Sequence, residues 1–218
     1  MSTLITPYEV IKYAPVAESF PTKYVCDQIF VTEAELFMEC IGNDLYESML
    51  ADVKTASGID DYNIQTTYSE GNEVVYEGCV FVSLVDDNNL DPENINGWKV
   101  RDKFNSECFQ TLWDHYLKQL LAFAVILKGV RYATFQAGGH GIMEMVDDQA
   151  GARTAHYKAF DGFERKLDSD IALRKKLITK YLTNQANKNC FGDYDIYKDS
   201  CSVNCDIRPT KRRIYLKY

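Results

Sequence analysis

The chain has 218 residues, enough for one well-buried domain or for one domain carrying an insertion and a tail. Apolar residues make up 46% and charged residues 26%, which excludes an intrinsically disordered chain. A net charge of −8 excludes a general nucleic-acid binder, because phosphate contacts require clustered Lys and Arg.

Thr6 and Pro7 predict the cap and first turn of a short helix that continues from Tyr8 to Tyr13. A longer helix follows, in which Ile29, Phe30, Ala34, Phe37, Met38 and Ile41 form an apolar stripe at three- and four-residue steps. Thr32 and Glu35 have capping-box spacing inside that stripe. Gly42 interrupts it, Asn43 is a good N-cap, and Leu45, Tyr46, Met49 and Leu50 carry the apolar face onward. Between Lys54 and Lys103 the helical period disappears. Val74-Val75-Tyr76 and Cys79-Val80-Phe81-Val82 flank Glu77-Gly78, which reads as a tight hairpin. A long polar loop from Asp86 to Gly97 then ends at Trp98. From Phe104 to about Tyr132 a long helix returns, apolar around much of its circumference and therefore central to a bundle or shared between subunits. Gly138-Gly139-His140-Gly141 reads as a flexible turn. A last helix is expected from about Arg153 to Leu182, with Gly162 and Asp168–Asp170 as weak points. After Asn184 no amphipathic period remains, and the segment 187–218 has too little apolar surface to fold alone.

The seven cysteines are an odd, scattered set: Cys26, Cys40, Cys79, Cys108, Cys190, Cys201 and Cys205. The last three lack a CxxC pair and a fourth ligand, so the reading is reduced thiols and no zinc. The opening residues carry no basic region followed by an apolar run. The apolar stretch Leu120 to Leu127 is too short to span a bilayer, so the chain is expected in the cytoplasm where it is made, without a membrane partner. The stretch 209–218 holds Lys211, Arg212, Arg213 and Lys217 and no acid, which suits docking on an acidic surface.

Signals for chemistry are weak. His115, His140 and His156 each sit where a solvated or packing role is the plain reading. Gly-Gly-His-Gly around His140 lacks the GxSxG partner that an esterase would need. P-loop, GxGxxG, HExxH and CxxC motifs are absent from the sequence. The acidic stretch Asp86 to Asp91 lacks the Gly and terminal Glu of an EF-hand loop, and reads as a solvated loop. Neither an enzyme nor a cofactor is expected. Tyr76, Gly78, Val82, Ser83, Asn88, Pro92 and Trp98 resemble the short motif of small carbohydrate-binding modules, in which Tyr76 and Trp98 would form the sugar platform. The competing and preferred reading has Trp98 plugging the hairpin's own minimal core.

Glu33-Ala34-Glu35, then Ile41-Gly42-Asn43-Asp44-Leu45-Tyr46 and Met49-Leu50, resemble the entry of tailed-phage head–tail connector (adaptor) proteins. The order of elements continues the resemblance: the helix Phe104 to Tyr132, the turn Gly138 to Gly141 with Ile142, and the run Leu173 to Leu182. Length, insertion and tail look like the ring proteins of crAss-like phages. The fold so implied is mainly α, a helical bundle of the connector type formed by residues 1–53 and 104–185. It carries a small β-hairpin insertion at 54–103 and an extended C-terminal docking tail at 186–218. The resemblance implies a virion protein at the head–tail junction, in a ring of about twelve copies that continues the DNA channel. Its partners would be itself, the portal protein, neighbouring tail or ring proteins, and passing genomic DNA without sequence specificity. It places the subunit interface on Trp113, Tyr116, Leu120 and Phe123. The docking tail would end in Lys211, Arg212, Arg213, Ile214, Tyr215, Leu216, Lys217 and Tyr218, whose strand-like centre suits addition to a neighbour's sheet edge.

Overall fold

A computed structural model describes residues 3–16, 20–138, 141–144, 157–184 and 188–191. Helices α1 (Pro7–Tyr13), α2 (Thr22–Cys40) and α3 (Asn43–Asp52) precede three short strands, β1 (Glu73–Tyr76), β2 (Cys79–Ser83) and β3 (Trp98–Val100). Helix α4 (Glu107–Leu112) runs through a π-helical turn, Trp113–Leu117, into α5 (Lys118–Thr134). A hairpin, β4 (Phe135–Gly138) with β5 (Gly141–Glu144), leads to α6 (Tyr157–Leu182) and the single-turn helix α7 (Lys188–Phe191). The chain is thus helix-rich with a small antiparallel sheet, as the sequence predicts.

The local signals explain most of these boundaries. Thr6 caps α1 in a full capping box: its hydroxyl accepts from the Glu9 N–H at 3.2 Å, and the Glu9 carboxylate accepts from the Thr6 N–H at 3.0 Å. Helix α2 begins at Thr22, well before the stripe that predicts it, so Thr32 lies in mid-helix and its spacing to Glu35 caps nothing. Gly42, at φ 81°, is the N-cap of α3, a backbone conformation that a side chain would strain. Asn43 is the first residue inside the helix, not the predicted cap. The expected continuous helix from Phe104 starts later, at Glu107, and contains one π turn. The Gly138–Gly141 region, expected as a flexible turn, is flanked by paired strands with Phe135 opposite Glu144. Helix α6 passes Gly162 and Asp168–Asp170 without a break.

Helix α5 is the centre of the molecule. Every residue from Leu120 to Leu127 is buried, and α1, α2 and α6 all pack on it. The approach of α2 is close: a Cβ on Gly129 would stand 3.1 Å from the Tyr24 carbonyl oxygen, so glycine sets that crossing. The main core draws on residues 4–49 and 104–191 and takes nothing from 54–103. The insertion has its own small core of Val74, Cys79, Phe81 and Trp98, walled by Tyr8, Tyr62, Tyr68 and Tyr76. Its strands run in the antiparallel order β1-β2-β3. The predicted hairpin is present, with Glu77 and Gly78 both at positive φ. Strand β3, which pairs Ser83 with Trp98, is an addition to the expectation. The two ends of the insertion meet: the Lys54 N–H donates to the Lys103 carbonyl at 2.8 Å, and Val53 bridges Phe104.

Residues 188–191 depart from expectation. Cys190 on α7 forms a disulfide with Cys108 on α4, and Phe191 is buried, stacked on Phe109 with ring centroids 6.4 Å apart. Apolar periodicity cannot reveal a four-residue helix held by one covalent bond and one aromatic. The pair closes a loop of 82 residues, which restricts the unfolded chain. Cys190→Ser is expected to lower the stability of the oxidised chain by about 2–4 kcal/mol in urea unfolding, with no further loss in excess reductant. Equal stability of the two chains under oxidising conditions would show that the pair does not form.

Candidate functional site

A buried polar clasp joins the N-terminal segment, α2 and the exit of the insertion. Glu33, on α2, is 1% exposed. Its carboxylate accepts from the Leu4 N–H at 2.9 Å, the Ile5 N–H at 3.3 Å and the Tyr46 hydroxyl at 2.8 Å. On the other side of Leu4, the Lys103 ammonium donates to the Leu4 carbonyl and to the Glu9 carboxylate, the latter at 2.8 Å. The ammonium also lies 4.5 Å from the centroid of the Trp113 ring. Glu9 is itself buried at 4% exposure, so Lys103 neutralises a charge that water cannot reach. One residue, Leu4, therefore connects two carboxylates on different helices, directly through its N–H and by way of Lys103 through its C=O.

Sequence reasoning missed all three charged residues of this cluster. For Glu33 a signal exists: it stands four residues from both Ile29 and Phe37, on the apolar stripe itself. For Lys103 there is none, because its partners lie 94 and 99 residues away.

The structure relocates the predicted site residues. Trp113, Leu120 and Phe123, expected at a subunit interface, are 1%, 0% and 7% exposed and belong to the chain's own core. Tyr116 is half-buried and stacks on Tyr181 at 4.4 Å. Tyr116 and Phe123, the latter under the Arg174 guanidinium, face α6, while Trp113 packs edge-on to Phe104. A helix apolar around much of its circumference is here the centre of its own bundle. Trp98 is 2% exposed, with its indole N–H on the Leu90 carbonyl and its ring edge-on to Tyr62 and Tyr68. It has no open face for a sugar ring and plugs the insertion's core; Tyr76 is half-buried beside it, edge-on to Phe81. The platform of Tyr76 and Trp98 is therefore not formed. In the acidic loop, Asn88 is buried and turned inward: its amide donates to Ser83 Oγ and the Gly97 carbonyl, and its oxygen accepts from the Leu90 N–H. Cys190, considered with Cys201 and Cys205 for a metal, is committed to Cys108. His140, His156, Cys201, Cys205 and the tail residues Lys211–Tyr218 lie outside the described residues. His115 is exposed.

A concave surface lies where the insertion meets the helices. The groove has a volume of about 690 Å³, walled by Tyr8, Ile11 and Val16 and by Cys26 on α2, with Glu77 and Glu93 at its rim. Burial, aided by the charge of Glu93, pushes the Tyr8 phenol up to about 12, so it stays protonated at neutral pH. Acidity is concentrated in the insertion: between residues 54 and 103 there are ten Asp and Glu against four Lys and Arg, and all ten carboxylates are exposed. No helix among the described residues is long and apolar enough to cross a membrane.

The clasp makes a signed prediction. Burial raises the Glu33 carboxyl above its ordinary value of 4.5, although the Leu4 and Ile5 N–H groups, the Tyr46 hydroxyl and the Lys103 charge all pull it down. Between 4.5 and the raised value the folded chain binds more protons than the unfolded chain. The contribution of Glu33 is therefore most favourable below 4.5 and is lost as pH rises through the folded value. Urea unfolding against pH should show wild type losing stability relative to Glu33→Gln across that window, by at most about 1.4 kcal/mol per pH unit. A flat or opposite difference would mean that the hydrogen-bond donors outweigh desolvation.

Neither the known family models, nor the curated proteins, nor the solved structures contain a match to this chain.

Proposed function

We propose that the chain is a structural virion protein, one subunit of an adaptor ring that joins the portal of a tailed phage to its tail and continues the DNA channel. The observation that carries this reading is the assembly of the main core. The two stretches that resemble connector proteins are separated in sequence by the whole insertion, yet they fold into one hydrophobic core with that insertion outside it. The helix–Gly42–helix entry sits inside this core through Phe37, Ile41, Leu45 and Met49.

The acidity of the insertion supports a conduit role, because carboxylates bordering a channel repel passing phosphates instead of binding them. A virion also leaves the reducing cytoplasm in which it is made, which gives the Cys108–Cys190 pair an oxidising environment in which to form. In this reading the stretch Lys211 to Tyr218 is the arm that reaches the portal or the next ring.

The test is a pull-down on purified phage portal rings with the full chain and with a chain ending at Phe191, which keeps α7 and the disulfide. The full chain is expected to bind as a ring visible by cryo-electron microscopy, and the shortened chain to lose most of that binding. Failure of both chains to bind any portal would overturn the reading.

A further inference from the structure

We propose that copies of this chain join head to tail, the outward stripe of α2 on one copy packing against the free flank of α6 on the next. The inference rests on the ring reading and deepens it by naming the two faces that meet.

With the residues of α5 taken up by the chain's own core, the exposed apolar side chains on helices lie elsewhere. On α2, Phe30 and Val31 are each 47% exposed, although they belong to a helix whose opposite face is fully packed. They share a stripe with Lys23, Asp27 and Ala34, at the three- and four-residue steps that place side chains on one face. On α6, Leu173 is 56% and Leu177 45% exposed, on a face with Lys166, Ser169, Lys176 and Lys180. Residues 166, 169, 173, 176 and 180 repeat at steps of three and four, the seam spacing of helices that pack side by side. Helices of 19 and 26 residues are about 28 and 39 Å long, so the shorter stripe fits within the longer flank.

The two faces do not meet within one copy. Lys175, on the other side of α6, bridges to Glu39 of α2 at 2.7 Å, so the chain's own α2 lies against the flank opposite Leu173 and Leu177. They are also complementary in charge. The α2 stripe carries Asp27 and is flanked by Glu35, with Lys23 the single cation of that helix. Glu35 keeps 63% of its side-chain surface exposed although Lys128 reaches it. The α6 flank presents Lys166, Lys176 and Lys180, with half-buried Asp170 at its edge. Among the described residues, Asp27 and these three lysines form no ion pair within the chain. An acidic-rimmed apolar stripe on one side and a lysine-rimmed leucine pair on another make a heterologous contact with a second copy, the type that closes into rings.

The test uses the full chain and two surface variants, Val31→Glu and Leu177→Glu, with circular dichroism to confirm that both fold. In sedimentation velocity the wild type is expected to associate as concentration rises, and each variant alone to weaken that association at least about tenfold. A mixture of the two variants should form a heterodimer and stop there, because each still carries the face that the other lacks. Cross-linking between isotopically labelled and unlabelled copies should join α2 of one to α6 of the other. A wild-type chain that stays monomeric at every concentration, variants that associate like wild type, or a mixture that gives no heterodimer would each overturn the head-to-tail contact. The portal pull-down decides the ring reading separately: portal binding by a monomeric chain would leave that reading standing.

Discussion

A buried carboxylate that cannot reach water must be answered from within the protein, and Glu33 is answered by the backbone of residues 4 and 5. That requirement fixes the path of the N-terminal segment across α2. The same peptide unit receives Lys103, whose charge is needed by Glu9, and Glu9 in turn closes the capping box that starts α1. Three sequence-distant pieces (residues 4–9, α2 and the exit of the insertion) are therefore held in register by interactions that lose much of their value if any one partner leaves. Hydrophobic burial drives the collapse of the helices, but it is indifferent to small slips between them. The clasp supplies the specificity that apolar contacts lack.

The rest of the architecture follows from where the clasp places Lys103. It is the last residue of the insertion, and the chain enters and leaves that unit through adjacent backbone at Val53 and Phe104. The helices can accordingly form one core around α5 while the sheet forms a second, smaller one. Contact between the two cores runs through Tyr8, whose ring is edge-on to Tyr76 and Phe81. Such a division lets a helical body keep its packing while an acidic surface module hangs on one side of it. Ten acidic against four basic residues give the module an excess of negative charge, while the helical faces keep the apolar and mixed-charge surface that subunit packing requires.

The sequence makes the helices legible because their apolar residues recur at a helical period, and the hairpin legible because Glu77-Gly78 suits a turn with two positive φ values. It does not say which helix is shared with a neighbour. Helix α5 is apolar around much of its circumference, and that pattern serves equally for the middle of one bundle or the seam between two. Only the burial of Leu120 on α5, against which α1, α2 and α6 pack, separates the cases. The residues that remain exposed, Phe30 and Leu173, look in the sequence like ordinary members of amphipathic stripes. Long-range pairs such as Lys103 with Glu9 and Cys108 with Cys190 leave no local trace, since neither partner carries information about the other's position. Trp98 is legible in type but not in role: a large aromatic ending a β unit serves equally as a plug or as a platform until its neighbours are known.

The two separated helical stretches form one core, closed at Lys103, to which the insertion is an addition. The direct measurement replaces residues 56–101 by a short Gly-containing turn, keeps Lys103, and follows thermal unfolding by circular dichroism. The shortened chain is expected to keep its helical signal and to unfold in one cooperative transition, at a lower temperature because Tyr8 has lost Tyr76 and Phe81. A chain that loses its cooperative transition, with helices that melt gradually, would show that the helical core cannot stand alone and make the insertion part of it.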